Sequence, residues 1–189
     1  MYYVFGHTNP DTDAYCAAVA YAQFLNDTGV AATAIALGNP NNETRFVFDT
    51  IHTSLPVLQT MLAAGSKIVL VDHNQAGQSI PERHNYDIVS VIDHHNIADF
   101  STASAIYMRV DAVGCTCTIL REIFKEQHYT PSATTAHLML SAIISDTLYF
   151  RSPTTTDRDR NAIEALAVLA GVDDVEAYSL QMFAAKSDL

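Results

Sequence analysis

The chain opens with Tyr2-Tyr3-Val4-Phe5-Gly6-His7-Thr8-Asn9-Pro10-Asp11-Thr12-Asp13. The apolar run Tyr2–Phe5 predicts a strand. Residues 13–27 predict a helix, because their apolar members recur at helical spacing and Gly29 follows as a stop. A strand that passes through a polar turn into a helix is the repeating unit of parallel α/β sheets, so this stretch favours an α/β fold.

The same alternation continues along the rest of the chain. Further strands are predicted at 31–37, Lys67–Val71, 87–92 and 105–110. Further helices are predicted at 43–49, 55–64, 115–127, 132–144, 156–170 and 172–185. The third and fourth strands are almost unbroken apolar runs, which is typical of strands buried on both faces. We therefore predict a three-layer α/β fold, with a mostly parallel β-sheet and helices on both faces.

Length and composition exclude several classes of protein. The 189 residues suggest one domain, or one domain plus a small appendage, and 49% hydrophobic residues exclude intrinsic disorder. A formal net charge of −11 argues against duplex nucleic acid or an anionic membrane as partner. The three cysteines predict no disulfide framework, and no apolar stretch is long enough to span a bilayer. With no targeting signal before the first strand, we expect a cytoplasmic protein.

Acidic and imidazole side chains follow three predicted strands and one predicted helix. These clusters are Gly6 to Asp13, Asp72-His73-Asn74, Asp93-His94-His95 and Ser145-Asp146-Thr147. Taken singly, each cluster is explained by turn formation or helix capping. Because the carboxyl ends of parallel strands meet at one edge, turn preferences do not explain four clusters at corresponding positions.

The chemistry of these side chains indicates a divalent metal site. Carboxylate oxygens and imidazole nitrogens, with no thiolate, suit Mn²⁺, Co²⁺ or Mg²⁺. Two such ions about 3.5–4 Å apart can hold a hydroxide and clamp the oxygens of a phosphoryl displacement. Phosphoryl hydrolysis is therefore the predicted class of reaction.

These motifs resemble those of the DHH phosphoesterase superfamily and, within it, the family II (class C) manganese-dependent inorganic pyrophosphatases. The resemblance extends over nearly the whole chain. It includes Val113-Gly114 before Cys115-Thr116-Cys117, and Ser145-Asp146-Thr147-Leu148 followed by Ser152-Pro153-Thr154-Thr155-Thr156. The triplet Asp93-His94-His95 indicates the superfamily, whereas the first and last motifs point to the pyrophosphatase branch.

The resemblance implies a site with two Mn²⁺ ions, for which Co²⁺ or Mg²⁺ are alternatives. His7 and Asp11 would bind the first ion, Asp13, His94 and Asp146 the second, and Asp72 both. His95 would donate a hydrogen bond to substrate, and Asp93 would orient its neighbours. A bridging hydroxide would attack inorganic pyrophosphate to give two phosphates, and a further Mg²⁺ could arrive with the substrate.

The resemblance also implies an organisation into two domains. Residues 1–185 would form the catalytic metal-binding DHH domain and residues 186–189 the start of a linker. The smaller C-terminal domain, whose Arg and Lys side chains grip pyrophosphate, would be absent from this chain. We therefore expect weak or no activity from the chain alone, and a homodimer joined through a sheet edge.

Two other functions stay open at this point. The chain could belong to another phosphoesterase of the superfamily, acting on oligonucleotides, cyclic dinucleotides or polyphosphate. It could also be a metal-binding dimerisation module with negligible turnover. Among the remaining residues, His73 has an open role beside Asp72, and the run 157–160 is interpreted as a solvated start of a helix. Cys115 and Cys117 are interpreted as small buried residues, with a redox pair as the alternative.

Overall fold

The computed structural model describes residues 1–187, in which strands and helices alternate as the sequence predicts. The strands are β1 (Tyr2–Phe5), β2 (Ala32–Ala36), β3 (Val57–Leu58), β4 (Lys67–Val71), β5 (Asp87–Asp93) and β6 (Tyr107–Val110). The α-helices are α1 (Thr12–Asp27), α2 (Asn42–Thr50), α3 (Thr116–Glu126), α4 (Ala133–Thr147), α5 (Asp157–Ala170) and α6 (Val175–Ser187). Two single turns of 3₁₀ helix, Ala76–Gln78 and Arg83–Asn85, lie between β4 and β5.

The six strands form one sheet in the order β3-β2-β1-β4-β5-β6, and every pairing is parallel. Val4 of β1 is paired with Ala34 on one side and Val69 on the other. The chain winds outward from β1 toward β3, then returns to the centre to begin β4. In such a sheet a crevice opens beyond the carboxyl ends of the two central strands, here β1 and β4. The predicted α/β fold is confirmed.

The two faces of the sheet are covered differently. One face, with Val4, Val69 and Ile92, packs against the α-helices in a large apolar core. On the other face, Phe5, Ile68 and Leu70 are covered by side chains that come from the connecting segments, Leu62, Ile80 and Tyr86. The α-helices therefore cover one face, and loops with short 3₁₀ turns form a thinner layer on the other. The prediction of helices on both faces is met on this second face by the 3₁₀ turns alone.

The prediction of a helix at 55–64 is wrong. Val57 and Leu58 instead pair with Ile35 and Ala36 as a short edge strand. Pro56 disfavours helical backbone at the residue before it and lacks an N–H of its own. Met61 is largely exposed, so the apolar residues of this segment do not form one buried helical face.

The last helix continues past the predicted domain boundary. Helix α6 includes Lys186 and Ser187, and the rest of the linker expected at 186–189 lies outside the described residues. Within residues 1–187, no helix combines the length and the apolar character needed to cross a bilayer.

Candidate metal centre

The predicted ligands converge at the carboxyl edge of the sheet. His7 and Asp11 lie in the loop after β1, and Asp13 lies in the first turn of α1. Asp72 follows β4, His94 follows β5, and Asp146 lies in the last turn of α4. Helix α4 reaches this edge because it packs closely along α1. Its C-terminal end therefore lies beside the first turn of α1, which carries Asp13.

The donor atoms of these residues form two groups that share Asp72. The first group contains His7, Asp11 and Asp72, and the second contains Asp13, Asp72, His94 and Asp146. Within each group the donor atoms all lie within 4.8 Å of one another. Two adjacent groups with one common carboxylate have the composition of a site for a bridged pair of divalent ions.

Asp72 is the geometric centre of the cluster. Its Oδ2 atom lies 3.3 Å from Nε2 of His7, and its Oδ1 atom lies 3.2 Å from Nε2 of His94. Its backbone has a φ of 60°, in the left-handed region that non-glycine residues rarely adopt. Oδ2 is buried and makes no hydrogen bond within residues 1–187. A strained backbone that holds an unsatisfied buried carboxylate oxygen is typical of a functional site, and the oxygen suits a cation.

The histidines of the cluster are oriented through their Nδ1 atoms. Nδ1 of His7 lies 2.8 Å from the carbonyl oxygen of Thr8, and Nδ1 of His94 lies 3.0 Å from that of Val113. A hydrogen bond at Nδ1 fixes which ring nitrogen is left to bind a metal. In both residues Nε2 is therefore the atom that faces the carboxylates.

The pKa values of the cluster show how strongly the groups interact. Burial, reinforced by the charge of Asp72, raises the pKa of Asp13 to about 7, and burial raises that of Asp146 well above its usual range. Burial opposes the charge on His94, but hydrogen bonding to Asp72 prevails and raises its pKa to about 9. In the same way Asp11 and Asp72 outweigh burial and raise the pKa of His7 to about 11. Without a metal ion, the raised pKa values of Asp13 and Asp146 favour protonation, which relieves the repulsion between neighbouring carboxylates. A bound cation could relieve the same repulsion.

His95 and Asp93 form a hydrogen-bonded pair at the mouth of the cluster, where Nδ1 of His95 also lies 3.6 Å from Oδ1 of Asp72. Buried Asp93 accepts hydrogen bonds from Nδ1 of His95 at 2.7 Å and from the amide of Asn74 at 2.7 Å. Its Oδ1 atom also accepts from the backbone N–H groups of His94 and His95. His95 is about half exposed, and the bond to Asp93 raises its pKa. The ring is therefore oriented through Nδ1, and Nε2, which has no hydrogen bond to residues 1–187, can donate to a ligand.

The N-terminal end of helix α3 contributes contacts that the sequence analysis missed. The N–H of Thr116 donates to Oδ2 of Asp13 at 2.8 Å, and its hydroxyl donates to Oδ1 of Asp72 at 3.2 Å. The N–H of Cys117 donates to Oδ1 of Asp13 at 3.3 Å. Backbone N–H groups at a helix start favour a negative charge, so α3 stabilises Asp13 as a carboxylate. The motif Val113 to Cys117, which precedes a predicted helix, was the sequence signal that could have indicated these contacts.

Three buried residues near the centre have roles that can be read from their contacts. The thiols of Cys115 and Cys117 are fully buried, and burial raises their pKa, so they remain protonated. His73 is buried, and both ring nitrogens are occupied, Nδ1 by the Val71 carbonyl oxygen and Nε2 by Ser79. Burial lowers its pKa to about 4, so His73 is a neutral residue that supports the turn after β4.

Glu43 is a second feature that sequence reasoning missed. It lies in the first turn of α2 and is fully buried. Its Oε1 atom accepts from the hydroxyl of Thr12 at 2.7 Å and from that of Ser145. Thr12 lies between Asp11 and Asp13, and Ser145 precedes Asp146, so this carboxylate joins two segments that carry predicted ligands.

Comparison with known proteins identifies the class to which the chain belongs. Residues 1–143 match the family described as DHH family, N-terminal domain. The match covers most of the chain, so the chain belongs to the DHH family, as the Asp93-His94-His95 triplet predicts.

Within this family, the chain is similar to proteins assigned as manganese-dependent inorganic pyrophosphatases. A Deinococcus radiodurans protein assigned as a manganese-dependent inorganic pyrophosphatase is 52% identical over 189 residues, which are 100% of this chain and 60% of the relative. A Listeria innocua protein with the same assignment is 46% identical over 187 residues, covering 98% of this chain and 60% of the relative. The chain thus spans about 60% of the length of these curated relatives.

Solved structures agree with this placement. The crystal structure of a candidate family II inorganic pyrophosphatase from Methanococcus jannaschii superposes with a TM-score of 0.92 at 35% identity. The alignment covers 99% of this chain and 62% of that one. An exopolyphosphatase-related protein from Bacteroides fragilis has a TM-score of 0.72 at 15% identity over 100% of this chain and 56% of that one, which indicates a common fold alone.

Proposed function

We propose that this chain is the metal-binding catalytic domain of a manganese-dependent inorganic pyrophosphatase, which hydrolyses pyrophosphate to two phosphates. The observation that carries the proposal is the pair of donor groups with Asp72 in common. The names of the relatives support the substrate and the metal.

In this proposal His7 and Asp11 would hold one Mn²⁺, Asp13, His94 and Asp146 would hold the other, and Asp72 would contribute to both. The unsatisfied Oδ2 of Asp72 and the orientation of both imidazoles support this assignment. The oxygen and nitrogen donors would also accept Co²⁺ or Mg²⁺, and a further Mg²⁺ could accompany the substrate. When bound, the ions supply a nucleophile from water and neutralise charge on the phosphoryl oxygens.

The chain's own residues would balance the charge of the ions and supply a hydrogen-bond donor to the substrate. Asp11, Asp13, Asp72 and Asp146 would balance the charge of two divalent ions, so an anionic substrate could approach despite the net charge of −11. His95, held by Asp93, would donate a hydrogen bond from Nε2 to a phosphate oxygen. Burial alone would raise the pKa of Asp93, but the hydrogen bonds from the His95 ring and from Asn74 lower it and would keep Asp93 ionised for this role.

The quaternary and cellular parts of the proposal have separate support. We propose a second, cationic domain that completes the pyrophosphate site, since the chain spans about 60% of its relatives. We propose a homodimer joined through the β6 edge of the sheet, where Tyr107 is about half exposed. A cytoplasmic location is supported by three free, buried thiols, which suit a reducing compartment.

Phosphate release by the natural full-length protein with Mn²⁺ tests the proposal. Pyrophosphate, a polyphosphate and a dinucleotide phosphodiester would be compared as substrates, each with the wild type and Asp72→Asn. We expect turnover on the order of 10–10³ s⁻¹ with pyrophosphate, and at least a 10³-fold loss in the variant. The 189-residue chain alone should be far slower. Faster cleavage of polyphosphate or of the dinucleotide would contradict the proposed substrate.

A further inference from the structure

The peptide group that joins Val113 to Gly114 lies between the imidazole of His94 and the carboxylate of Asp159. On one side, Nδ1 of His94 lies 3.0 Å from the Val113 carbonyl oxygen. On the other side, the Gly114 N–H donates to both carboxylate oxygens of Asp159, at 2.9 and 3.1 Å. A single peptide group therefore connects a predicted metal ligand with a carboxylate on helix α5.

The Asp159 carboxylate is fully buried and held by further donors. The hydroxyl of Thr118 donates to it at 2.6 Å. The N–H and hydroxyl of Thr156 donate to it at 2.7 and 2.8 Å. An ionised carboxylate accepts and does not donate, so this set of donors suits the charged form. The sequence predicts that the run 157–160 is solvated, and for Asp159 that prediction is wrong, because its side chain is fully buried.

Gly114 is required for this close approach. A Cβ atom at this position would lie 2.9 Å from Cγ2 of Thr147 and 3.0 Å from Oδ2 of Asp159. Those distances are shorter than ordinary van der Waals contacts. The absence of a side chain lets the peptide lie against the carboxylate on one side and next to the end of α4, beside Asp146, on the other.

A carboxylate behind this peptide group changes how strongly the group binds His94. Hydrogen bonds in a chain polarise one another, so the Val113 carbonyl becomes a better acceptor for Nδ1–H. The stronger bond holds the ring with Nε2 3.2 Å from Asp72 and 3.6 Å from Asp146. Partners of this kind orient metal-binding histidines and raise their basicity.

We infer that Asp159 is a positioning residue of the metal centre and acts on His94 through the Val113–Gly114 peptide. The inference rests on the metal centre proposed above. It gives Asp159 a part in metal binding in addition to its part in the capping box of α5. It concerns the ion that His94 would hold and not the ion assigned to His7 and Asp11.

Calorimetric titration of Mn²⁺ into Asp159→Asn tests the inference, with Asp157→Asn as the matched control. Asp157 is exposed in the same helical turn, so its substitution removes an equal charge without touching the peptide. Loss of a direct partner of a ligand costs about 10–100-fold in metal affinity. Asp159 acts on His94 through the Val113–Gly114 peptide, so its effect should be smaller. We expect Mn²⁺ affinity to fall by about 3- to 10-fold at the ion assigned to His94, with no change at the ion assigned to His7 and Asp11. Asp157→Asn should match the wild type at both.

Two further variants separate positioning from stability. Thr156→Ala removes one donor to Asp159 but leaves the carboxylate on Gly114, so it should lower the melting temperature and leave Mn²⁺ affinity unchanged. In a His94→Asn background, Asp159→Asn should cause no further loss of Mn²⁺ affinity, because Asp159 affects the metal only through His94. The inference is wrong if Asp159→Asn weakens both ions equally, or acts equally strongly without His94.

A measurement on the wild type replaces the variant if Asp159→Asn does not fold. The Gly114 amide resonance is followed by NMR as Mg²⁺, a diamagnetic ion, is added. Binding at Nε2 of His94 alters the Nδ1 hydrogen bond, so the Gly114 amide should shift. Gly171, at the far end of α5, is the internal control and should not move. An unchanged Gly114 resonance at saturating Mg²⁺ would overturn the inference.

The wild-type Mn²⁺ titration distinguishes the two ways of failing. If the wild type binds no Mn²⁺, the proposed metal centre is wrong and the inference is wrong with it. If the wild type binds two ions and Asp159→Asn binds them like Asp157→Asn, the inference alone is wrong.

Discussion

Asp72 combines three unusual structural features at the centre of the candidate metal site. Its backbone is in the left-handed region, its side chain is buried, and one of its oxygens has no hydrogen bond within the described residues. Each of these features costs stability. They persist together because His7 and His94 approach the two oxygens, and because the hydroxyl of Thr116 donates to one of them.

Metal affinity should depend on pH through the same group of residues. A bound cation needs Asp13 ionised and His94 neutral, but Asp13 has a pKa of about 7 and His94 a pKa of about 9. At pH 6 both carry protons that compete with the metal, and these protons leave as the pH rises. We therefore expect Mn²⁺ affinity to rise between pH 6 and pH 9, with protons released on binding.

Titration calorimetry in buffers of different ionisation enthalpy measures the number of protons released. The His73→Gln variant is a suitable control, because His73 is buried, neutral and outside the two donor groups. Its pH dependence should follow that of the wild type. An affinity that stays constant from pH 6 to pH 9 would contradict the proton competition described here.

At the scale of elements, two acidic residues at helix starts show the limit of sequence interpretation. Glu43 in α2 and Asp159 in α5 both occupy a first turn, where acids commonly face solvent and favour the helix dipole. Both are fully buried here. Their donors include Ser145 for Glu43 and Gly114 for Asp159, which are distant in the chain, and no local pattern indicates such contacts.

The convergence of the predicted ligands was easier to foresee from the sequence than the contacts of the residues around them. Most of the predicted ligands follow a strand or begin the next helix, and a parallel sheet brings the carboxyl ends of its strands to one edge. Asp146 reaches the same edge because α4 packs along α1. The helix predicted at 55–64 failed for the opposite reason. Its local apolar spacing was outweighed by pairing with β2, which depends on contacts that are not local.

Substitution of Glu43 should destabilise the fold measurably. Glu43→Ala leaves the buried hydroxyls of Thr12 and Ser145 without their acceptor and opens a cavity, so we expect a loss of about 2–4 kcal/mol in the free energy of unfolding. Glu43→Gln keeps an acceptor oxygen and should lose less. Urea denaturation of the metal-free chain measures both.

Glu164 in α5 provides the control for these variants. It is exposed, so Glu164→Ala should change the free energy of unfolding by less than about 0.5 kcal/mol. If Glu43→Ala were as stable as Glu164→Ala, Glu43 would not join the α1 and α4 segments in the way its contacts indicate.

For the whole molecule, the β6 edge of the sheet is the place to test the proposed assembly. Strand β6 pairs with β5 on one side, and Tyr107 at its start is about half exposed. A charged residue on an edge strand opposes pairing with another strand. We therefore expect the wild type to sediment at twice the mass of the chain, and Tyr107→Lys to sediment as a monomer.

Val168 is the matched surface position for this experiment. It is 82% exposed on α5, away from the β6 edge, so Val168→Lys should leave the dimer intact. A wild type that sediments as a monomer at micromolar concentration, or a dimer unaffected by Tyr107→Lys, would contradict assembly through β6.

The proposed metal centre would hold a pair of ions, one on either side of Asp72. Anomalous diffraction at the manganese edge, from a crystal soaked in Mn²⁺, tests it most directly because it counts the ions and shows their ligands together. We expect two peaks about 3.5–4 Å apart, one beside His7 and Asp11 and the other beside Asp13, His94 and Asp146, both in contact with Asp72. A single peak, or peaks away from Asp72, would contradict the account.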